Sequence, residues 1–260
     1  TIIQKHLDKC PSGTIVIWEK IDRIIPGEHV GDEEYQRAFL NYAQSVKERI
    51  SVVFSSYMSG SHKVAFEMNG REISMWDPFM TDNPLTTRMP TEYLYVNGNE
   101  VKIKTFILPH QKKLSSNEFS LYAGAHGWNA QQGFYIFRNN RLIVEGSWLL
   151  NGFEKAEQYR LARIRIDIGN ETDSEWNIDV RKSTAVPPIS IQNDIKRIAI
   201  AARRESATIF RNRGKKLARR ARKEQCFVWH QNIRNGKLGY TINRDHPIIR
   251  EMINADDKNQ

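Results

Sequence analysis

Two adjacent cations, Arg181 and Lys182, lie within the stretch WNIDVRKSTAVPP at positions 176–188. Apolar residues alternate as far as Val180, which predicts a β-strand with one buried face that ends there. The two cations therefore stand where the chain leaves the sheet, and Pro187-Pro188 stiffens the chain soon afterwards. Either the cations reach a partner beyond the strand, or they form a solvated pair that contributes little to stability.

A second group of cations accounts for the whole net charge of +9. Between positions 203 and 223 the chain has ten basic residues and one acidic residue, Glu205. A nucleic-acid-binding surface and a helix that docks on a protein partner or forms a coiled coil both fit this pattern. The ten cations are Arg203, Arg204, Arg211, Arg213, Lys215, Lys216, Arg219, Arg220, Arg222 and Lys223.

Other catalytic patterns have little support in the sequence. The seven histidines form no HxxxH or HxH pair, so we expect no metal site. The segment Gly124–Gly127 superficially resembles a phosphate-binding loop, but it lacks the lysine and the following helix that such a loop needs, which predicts a flexible connection. No GxSxG motif is present, and the loop carboxylates Asp77 and Asp82 are more simply solvated than paired for acid–base catalysis.

The composition is that of a globular protein, with 40% hydrophobic residues. No apolar run approaches the roughly 18 residues that a membrane span requires, and the first residues show no signal-peptide pattern. The two cysteines, Cys10 and Cys226, are too few for a disulfide framework. We therefore expect a cytoplasmic protein with no membrane partner.

The elements that must position these residues follow from the hydrophobic period. Residues 13–25 predict a strand and a connection, and residues 32–60 predict one long amphipathic helix, or two, with Asp32 as the N-cap. Between positions 63 and 180 the period changes to two. This region predicts hairpins at Asn69-Gly70 and Asn139-Asn140, strands at 100–108 and 159–169, and a loop at 77–90.

After Pro187-Pro188 the period is helical again, which predicts a helix over about residues 190–222 with the cations outside its apolar face. A strand, an Asn-Gly turn, a second strand and a short helix follow at positions 227–253. The expected fold class is α+β, with a mostly antiparallel sheet backed by helices.

Two features of the predicted sheet are interpreted as structural. Phe134, Tyr135, Phe137 and Trp148 are expected to pack the sheet, and alternation places Phe134 and Tyr135 on opposite faces. The segment 138–141 has the composition of an ordinary hairpin tip, although it also suits contacts at a dimer interface.

The order of these elements resembles a known superfamily. GTIVIWEKIDRI is similar to the closing strand of the ATPase domain of GHKL proteins, which include gyrase, Hsp-type chaperones, histidine kinases and MutL. ERISVVFSSYMSGSHKVAFEMNGREISMWDPF, GFYIFRNNRLIVEGSW and WNIDVRKS resemble the transducer domain that follows in MutL-like and MORC-like members. The resemblance covers about residues 13–188.

The resemblance implies roles for individual residues. Thr14 corresponds to a threonine that touches adenine, although a threonine at a strand start needs no function. Lys182 is the best match to the transducer lysine that contacts the γ-phosphate of ATP, and Arg181 is the alternative. A lysine suits this role because its compact charge on a flexible stem can follow a moving phosphate.

The resemblance also implies a division of the chain. Residues 1–31 would end an ATPase domain, residues 32–188 would form a transducer related to the second domain of ribosomal protein S-five, and residues 189–260 would hold the basic helix and a C-terminal hairpin and helix. The residues that hold ATP and magnesium in the family are expected upstream of this sequence. We expect this portion alone to bind no cofactor and to hydrolyse no ATP, and the full-length protein to be an ATPase.

Two functions remain open at this point. In the first, the chain transmits ATP binding and hydrolysis in the missing N-terminal domain to a conformational change, with homodimerisation in the full-length protein. In the second, it binds DNA or RNA through the basic helix at 203–223.

Overall fold

The computed structural model describes residues 12–18, 33–60, 63–178, 185–212, 228–234, 236–244 and 246–256. The chain divides into two compact units, residues 1–47 and 48–260. In the first unit, residues 13–18 are exposed and form neither helix nor strand. The strand predicted to begin at Gly13 is therefore wrong for these residues, and its continuation at 19–25 lies outside the described part of the chain. An alternating apolar pattern forms a strand only where a partner strand pairs with it.

The predicted long helix is confirmed as α1, Glu33–Val53. Two glutamates in its first turn favour its N-terminus electrostatically, and Val52 and Val53 are buried at its C-terminal end. A 3-10 turn at Ser55–Tyr57 follows, and Gly60 has a φ of 89°. The predicted N-cap Asp32 lies outside the described residues.

The fold is α+β, with an eight-stranded mixed sheet in which most neighbouring strands are antiparallel, as the sequence predicts. Along the sheet the order is β10-β9-β4-β5-β8-β6-β7, and β3 also pairs with β5. The pairs β4–β9 and β6–β8 are parallel. The strands of this sheet are β3 Thr87–Arg88, β4 Thr91–Val96, β5 Asn99–Ile107, β6 Gly133–Arg138, β7 Arg141–Ser147, β8 Ala162–Ile168, β9 Trp229–Arg234 and β10 Lys237–Ile242.

Local turn chemistry fixes the hairpins. The separate two-stranded hairpin of β1 Glu67–Met68 and β2 Arg71–Glu72 turns at Asn69 and Gly70, which have φ values of 52° and 73°. Asn139 and Asn140, at 44° and 67°, turn β6 into β7. Positive φ at both positions is the requirement of a type I′ turn. Both predicted hairpins are confirmed, and so is the antiparallel pairing of β9 with β10 across the turn that contains Gly236, whose φ is 73°.

The two faces of the sheet carry different cores. One face packs against α4, Gln192–Arg211, through Ile195, Ile198, Ala199 and Ala202. Phe134 and Trp148 belong to this core, whereas Tyr135 and Phe137 lie in a smaller cluster on the other face with Val52 and Val53. The prediction that Phe134 and Tyr135 face opposite ways is therefore confirmed.

Four short elements were not expected from the sequence, and the first of them, β3, lies within the predicted loop at 77–90. β4 forms a hairpin with β5 through Asn97-Gly98, and the region between β5 and β6 holds α2, Ser116–Ala123, and α3, Gly127–Ala130. A capping box between Ser115 and Glu118 begins α2. Gly124 is the C-cap of α2, and the predicted connection at 124–127 joins α2 to α3, although no helix was expected to follow it.

The C-terminal elements extend the main sheet. β9 pairs in parallel with β4, and β10 forms the outermost strand of the order. Helix α5, Pro247–Asp256, ends the described chain. The predicted helix at 190–222 is confirmed over residues 192–211, and residues 213–222 lie outside the described part.

Candidate functional site

Arg181 and Lys182 lie in the segment 179–184, which is outside the described residues, but the chain on both sides of it is fixed. On the N-terminal side Trp176 has no exposed surface, and on the C-terminal side Ala185 is 6% exposed. The backbone N–H of Val186 donates to the carbonyl oxygen of Trp176 at 2.8 Å. The two ends of the segment are thus joined to each other, and both ends are anchored in the core.

The predicted strand through Trp176 is wrong. Residues 174–177 form turns, the N–H of Trp176 donates to Thr172 at 3.1 Å, and Asn177 has a φ of 43°. The apolar alternation that predicted a strand has another cause, since Trp176 and Ile178 both pack against the main core without pairing to a strand. The predicted strand is thus wrong for residues 176–178, and residues 179–180, like both cations, lie outside the described part of the chain.

Pro187 and Pro188 connect the segment directly to α4. Both prolines are buried. The carbonyl of Pro188 accepts from the N–H of Ile191 at 3.0 Å, and that of Pro187 accepts from Gln192 Nε2 at 3.1 Å. Because proline fixes φ and Ile191 is 3% exposed, the path from Ala185 to the start of α4 contains little conformational freedom.

Helix α4 is held along its length by polar contacts in addition to its apolar face. Arg197 pairs with Glu92 of β4 through Nη1 and Oε1 at 3.2 Å and through a second, shorter contact. Near its C-terminal end, Ser206 Oγ donates to the carbonyl of Gln158 at 2.9 Å. These contacts join α4 to β4 and to the 3-10 turn at Glu157–Tyr159 before β8.

Arg203, the first of the ten predicted nucleic-acid-binding cations, packs into the fold. Its guanidinium lies 3.9 Å from the ring centroid of Tyr159, 4.8 Å from that of Phe153 and 5.2 Å from that of Trp148. Its Nη2 also donates to the carbonyl of Glu154 at 3.2 Å. These contacts give Arg203 a structural role.

The remaining cations of the basic segment divide between two groups. Arg204 and Arg211 are exposed on α4. The others lie outside the described residues, and for them nucleic-acid binding stays a prediction; they are Arg213, Lys215, Lys216, Arg219, Arg220, Arg222 and Lys223. Thr14 is exposed in the first unit, and its contact with adenine also stays a prediction.

The structure reveals a basic row on the sheet face opposite α4. Backbone register places Lys237 of β10 beside Arg234 of β9, Arg234 beside Tyr93 of β4, and Tyr93 beside Lys102 of β5. Lys104, two residues along β5, is directly opposite Arg165 of β8. The sequence alternation in β5 shows that Lys102 and Lys104 share a face, but only the strand pairing brings Arg234 and Lys237 beside them.

Within this row, the surroundings of Lys104 disfavour the charged form of its ammonium group. Burial, and then the positive charge of Lys102, lower the pKa of its ammonium group. Asp167 partly offsets this effect, but Asp167 is already bound by Arg165, whose Nε lies 2.8 Å from Oδ1 and 3.0 Å from Oδ2. The row thus carries positive charge that its neighbours only partly balance.

A fully buried arginine lies on the same sheet face near α2 and α3. Arg163 has no exposed surface, donates to the carbonyls of Pro78 at 2.6 Å and Tyr122 at 2.9 Å, and lies 5.3 Å from the ring centroid of Trp128. Burial lowers the pKa of this guanidinium. Because backbone carbonyls and a ring surround it, we assign Arg163 to the fold rather than to ligand binding.

Within the described ranges, no group of three or more His, Cys, Asp and Glu residues could hold a metal ion. The same part of the chain contains no helix long and apolar enough to cross a membrane. Comparisons with protein-family models, curated proteins and solved structures gave no match.

Proposed function

We propose that this chain couples the ATP state of a nucleotide-binding domain to a movement of helix α4, as the transducer domain of a GHKL-type ATPase does. The α+β architecture, with a mostly antiparallel sheet backed by a helix, supports a transducer fold related to the second domain of ribosomal protein S-five. In this proposal the nucleotide site, with its ATP and magnesium, is formed by residues outside this sequence.

The observation that carries the proposal is the closed base of the segment with Arg181 and Lys182. The hydrogen bond from Val186 to Trp176 joins the described chain on the two sides of the segment 179–184. A lysine in a segment joined to such a base can contact a phosphate of a neighbouring domain and pass the effect of that contact to the chain on either side. Its ammonium would stabilise the charge that develops on the γ-phosphate during phosphoryl transfer.

The route from this base to α4 gives the contact a mechanical consequence. With ATP bound, the ion pair with the γ-phosphate draws the segment toward the nucleotide domain. After hydrolysis and phosphate release that contact is lost, and the difference in contact energy favours a second arrangement of the domains. The buried Pro187-Pro188 link transmits the difference to α4, and α4 transmits it to β4 through Arg197 and Glu92.

ATP turnover by the protein that contains this chain together with its ATPase domain tests the proposal. Lys182→Ala should lower turnover while leaving the fold of this chain intact, because the side chain acts on a phosphate outside it. Lys182→Arg keeps the charge but not the compact ammonium, and we expect it to recover only part of the loss. Arg181→Ala, at the alternative phosphate contact, distinguishes which of the two cations acts.

Two other partners are proposed from the sequence. One is a second copy of this chain in a homodimer, and the other is a nucleic acid bound by the segment 203–223. Arg138 forms a paired contact with Asp173, with Nε donating to Oδ1 at 2.6 Å. This contact supports the reading of 138–141 as a hairpin tip fixed within the fold.

A further inference from the structure

The basic row is wide and lies on one surface. We define the basic face as Tyr93, Lys102, Lys104, Arg234 and Lys237. Its members come from four neighbouring strands, and Asp167 of β8 continues the row beyond Lys102. Since neighbouring strands are about 4.8 Å apart, a row across these five strands is about 19 Å long.

The charge of the basic face is only partly balanced by its neighbours. Among the described residues, no carboxylate lies within ion-pair distance of Lys102, Lys104, Arg234 or Lys237. Glu100, on the same face of β5, is 3.5 Å from the hydroxyl of Tyr95, and Asp167 is bound by Arg165. Lysine and arginine side chains without acidic partners on a shared face attract a polyanion.

Aromatic rings lie among the cations. Arg234 is 4.8 Å and Lys102 is 5.7 Å from the ring centroid of Tyr93, so two cations are held on this ring. Tyr95, two residues further along the same side of β4, is 37% exposed. A flat sheet surface that presents an accessible ring beside cations is the arrangement by which proteins stack bases and hold the phosphates between them.

We propose that the basic face binds single-stranded nucleic acid, with Lys102, Lys104 and Arg234 on phosphates and Tyr95 under a base. An acidic protein segment would use the cations equally well but would gain little from the Tyr95 ring. A nucleic acid uses both features, which favours it as the occupant. The proposal goes beyond the coupling function, and it requires no ATP.

Fluorescence anisotropy of the 260-residue chain tests this site. The probe is a labelled oligothymidylate of about 20 nucleotides, long enough for the site sizes of single-strand-binding domains. The sheet variant combines Lys102→Gln, Lys104→Gln and Arg234→Gln. A matched control changes two exposed lysines and one exposed arginine elsewhere, Lys63→Gln, Lys112→Gln and Arg71→Gln.

The wild-type chain and the control should bind alike, and the sheet variant should bind at least tenfold more weakly. Its salt slope should fall by about 2, since each phosphate contact on a single strand contributes about 0.7. Tyr95→Ala should weaken binding at least fivefold, and Tyr95→Phe, which keeps the ring, should restore it. Circular dichroism and thermal melting of each variant confirm that the fold is retained.

Four results would overturn the proposal. The first is absence of binding at about 50 mM salt, and the second is an equal loss of affinity in the sheet variant and the control. The third is a loss of affinity in the double variant Arg204→Gln, Arg211→Gln while the sheet variant binds normally. The fourth is polyglutamate binding that depends on the sheet cations and equals oligothymidylate binding, because it would assign the face to an acidic protein segment. All these measurements are made without ATP. A negative result for the basic face is therefore distinguishable from a negative result for the coupling function.

Discussion

Replacing Arg203 should cost far more stability than replacing its neighbour Arg204, although the sequence gives both residues the same role. The Arg203 guanidinium contacts three aromatic rings and donates to the carbonyl of Glu154 at 3.2 Å. A hydrogen bond to a charged group contributes about 1.5–3 kcal/mol, and cation–π contacts at partly exposed sites contribute about 0.5–1 kcal/mol. We therefore expect Arg203→Ala to lower the free energy of unfolding by about 2–4 kcal/mol.

Urea unfolding followed by far-UV circular dichroism measures this difference. Arg204 is exposed on the same turn of α4, so Arg204→Ala is the matched control and should change stability by no more than about 0.5 kcal/mol. Arg203→Lys keeps the charge but loses the planar group that stacks on the rings, and should give an intermediate value. Equal effects of the two alanine substitutions would refute the structural role of Arg203 and return it to the basic surface.

Two further predictions concern the base of the candidate site and the basic face. Val186→Pro removes the N–H that donates to the carbonyl of Trp176 and should lower the free energy of unfolding by about 1–3 kcal/mol. Val186→Ala keeps this N–H and is the control. Equal urea midpoints for the two variants would contradict the closed base. Lys104→Met should raise the free energy of unfolding at neutral pH, because it removes a charge that burial disfavours. The folded wild-type chain releases the Lys104 proton at a lower pH than the unfolded chain does, because folding lowers the pKa of this group. The gain should therefore shrink as the pH rises through the lowered pKa toward the ordinary value of 10.5. A gain that does not change as the pH rises from about 7 to above 10.5 would contradict this assignment.

Much of the fold could be predicted because the signals are local. Asn-Gly and Asn-Asn turns follow from the positive φ that their backbone requires, and the apolar faces of α1 and α4 follow from a period of 3.6 residues. β4 gave a weaker signal because its TEYLYV sequence has polar residues beside apolar ones. α2 could have been found from its Ser115–Glu118 capping box, which precedes an amphipathic segment.

The remainder depended on tertiary contacts. The apolar residues around Trp176 alternate like a strand, but burial of the indole in a turn decides the local structure. Residues 13–18 have a strand pattern and form no strand. The basic face required the parallel pairing of β9 with β4, which brings Arg234 beside Tyr93 from a distant part of the sequence. No local pattern encodes such a register.

ATP turnover of the Lys182→Ala variant, in the protein that joins this chain to its ATPase domain, tests the coupling function most directly. The proposal predicts a loss of one to three orders of magnitude, equivalent to about 1.4–4 kcal/mol of activation free energy. Normal turnover in Lys182→Ala together with a loss in Arg181→Ala would assign the phosphate contact to Arg181. Normal turnover in both variants would contradict the proposal that this segment senses the nucleotide.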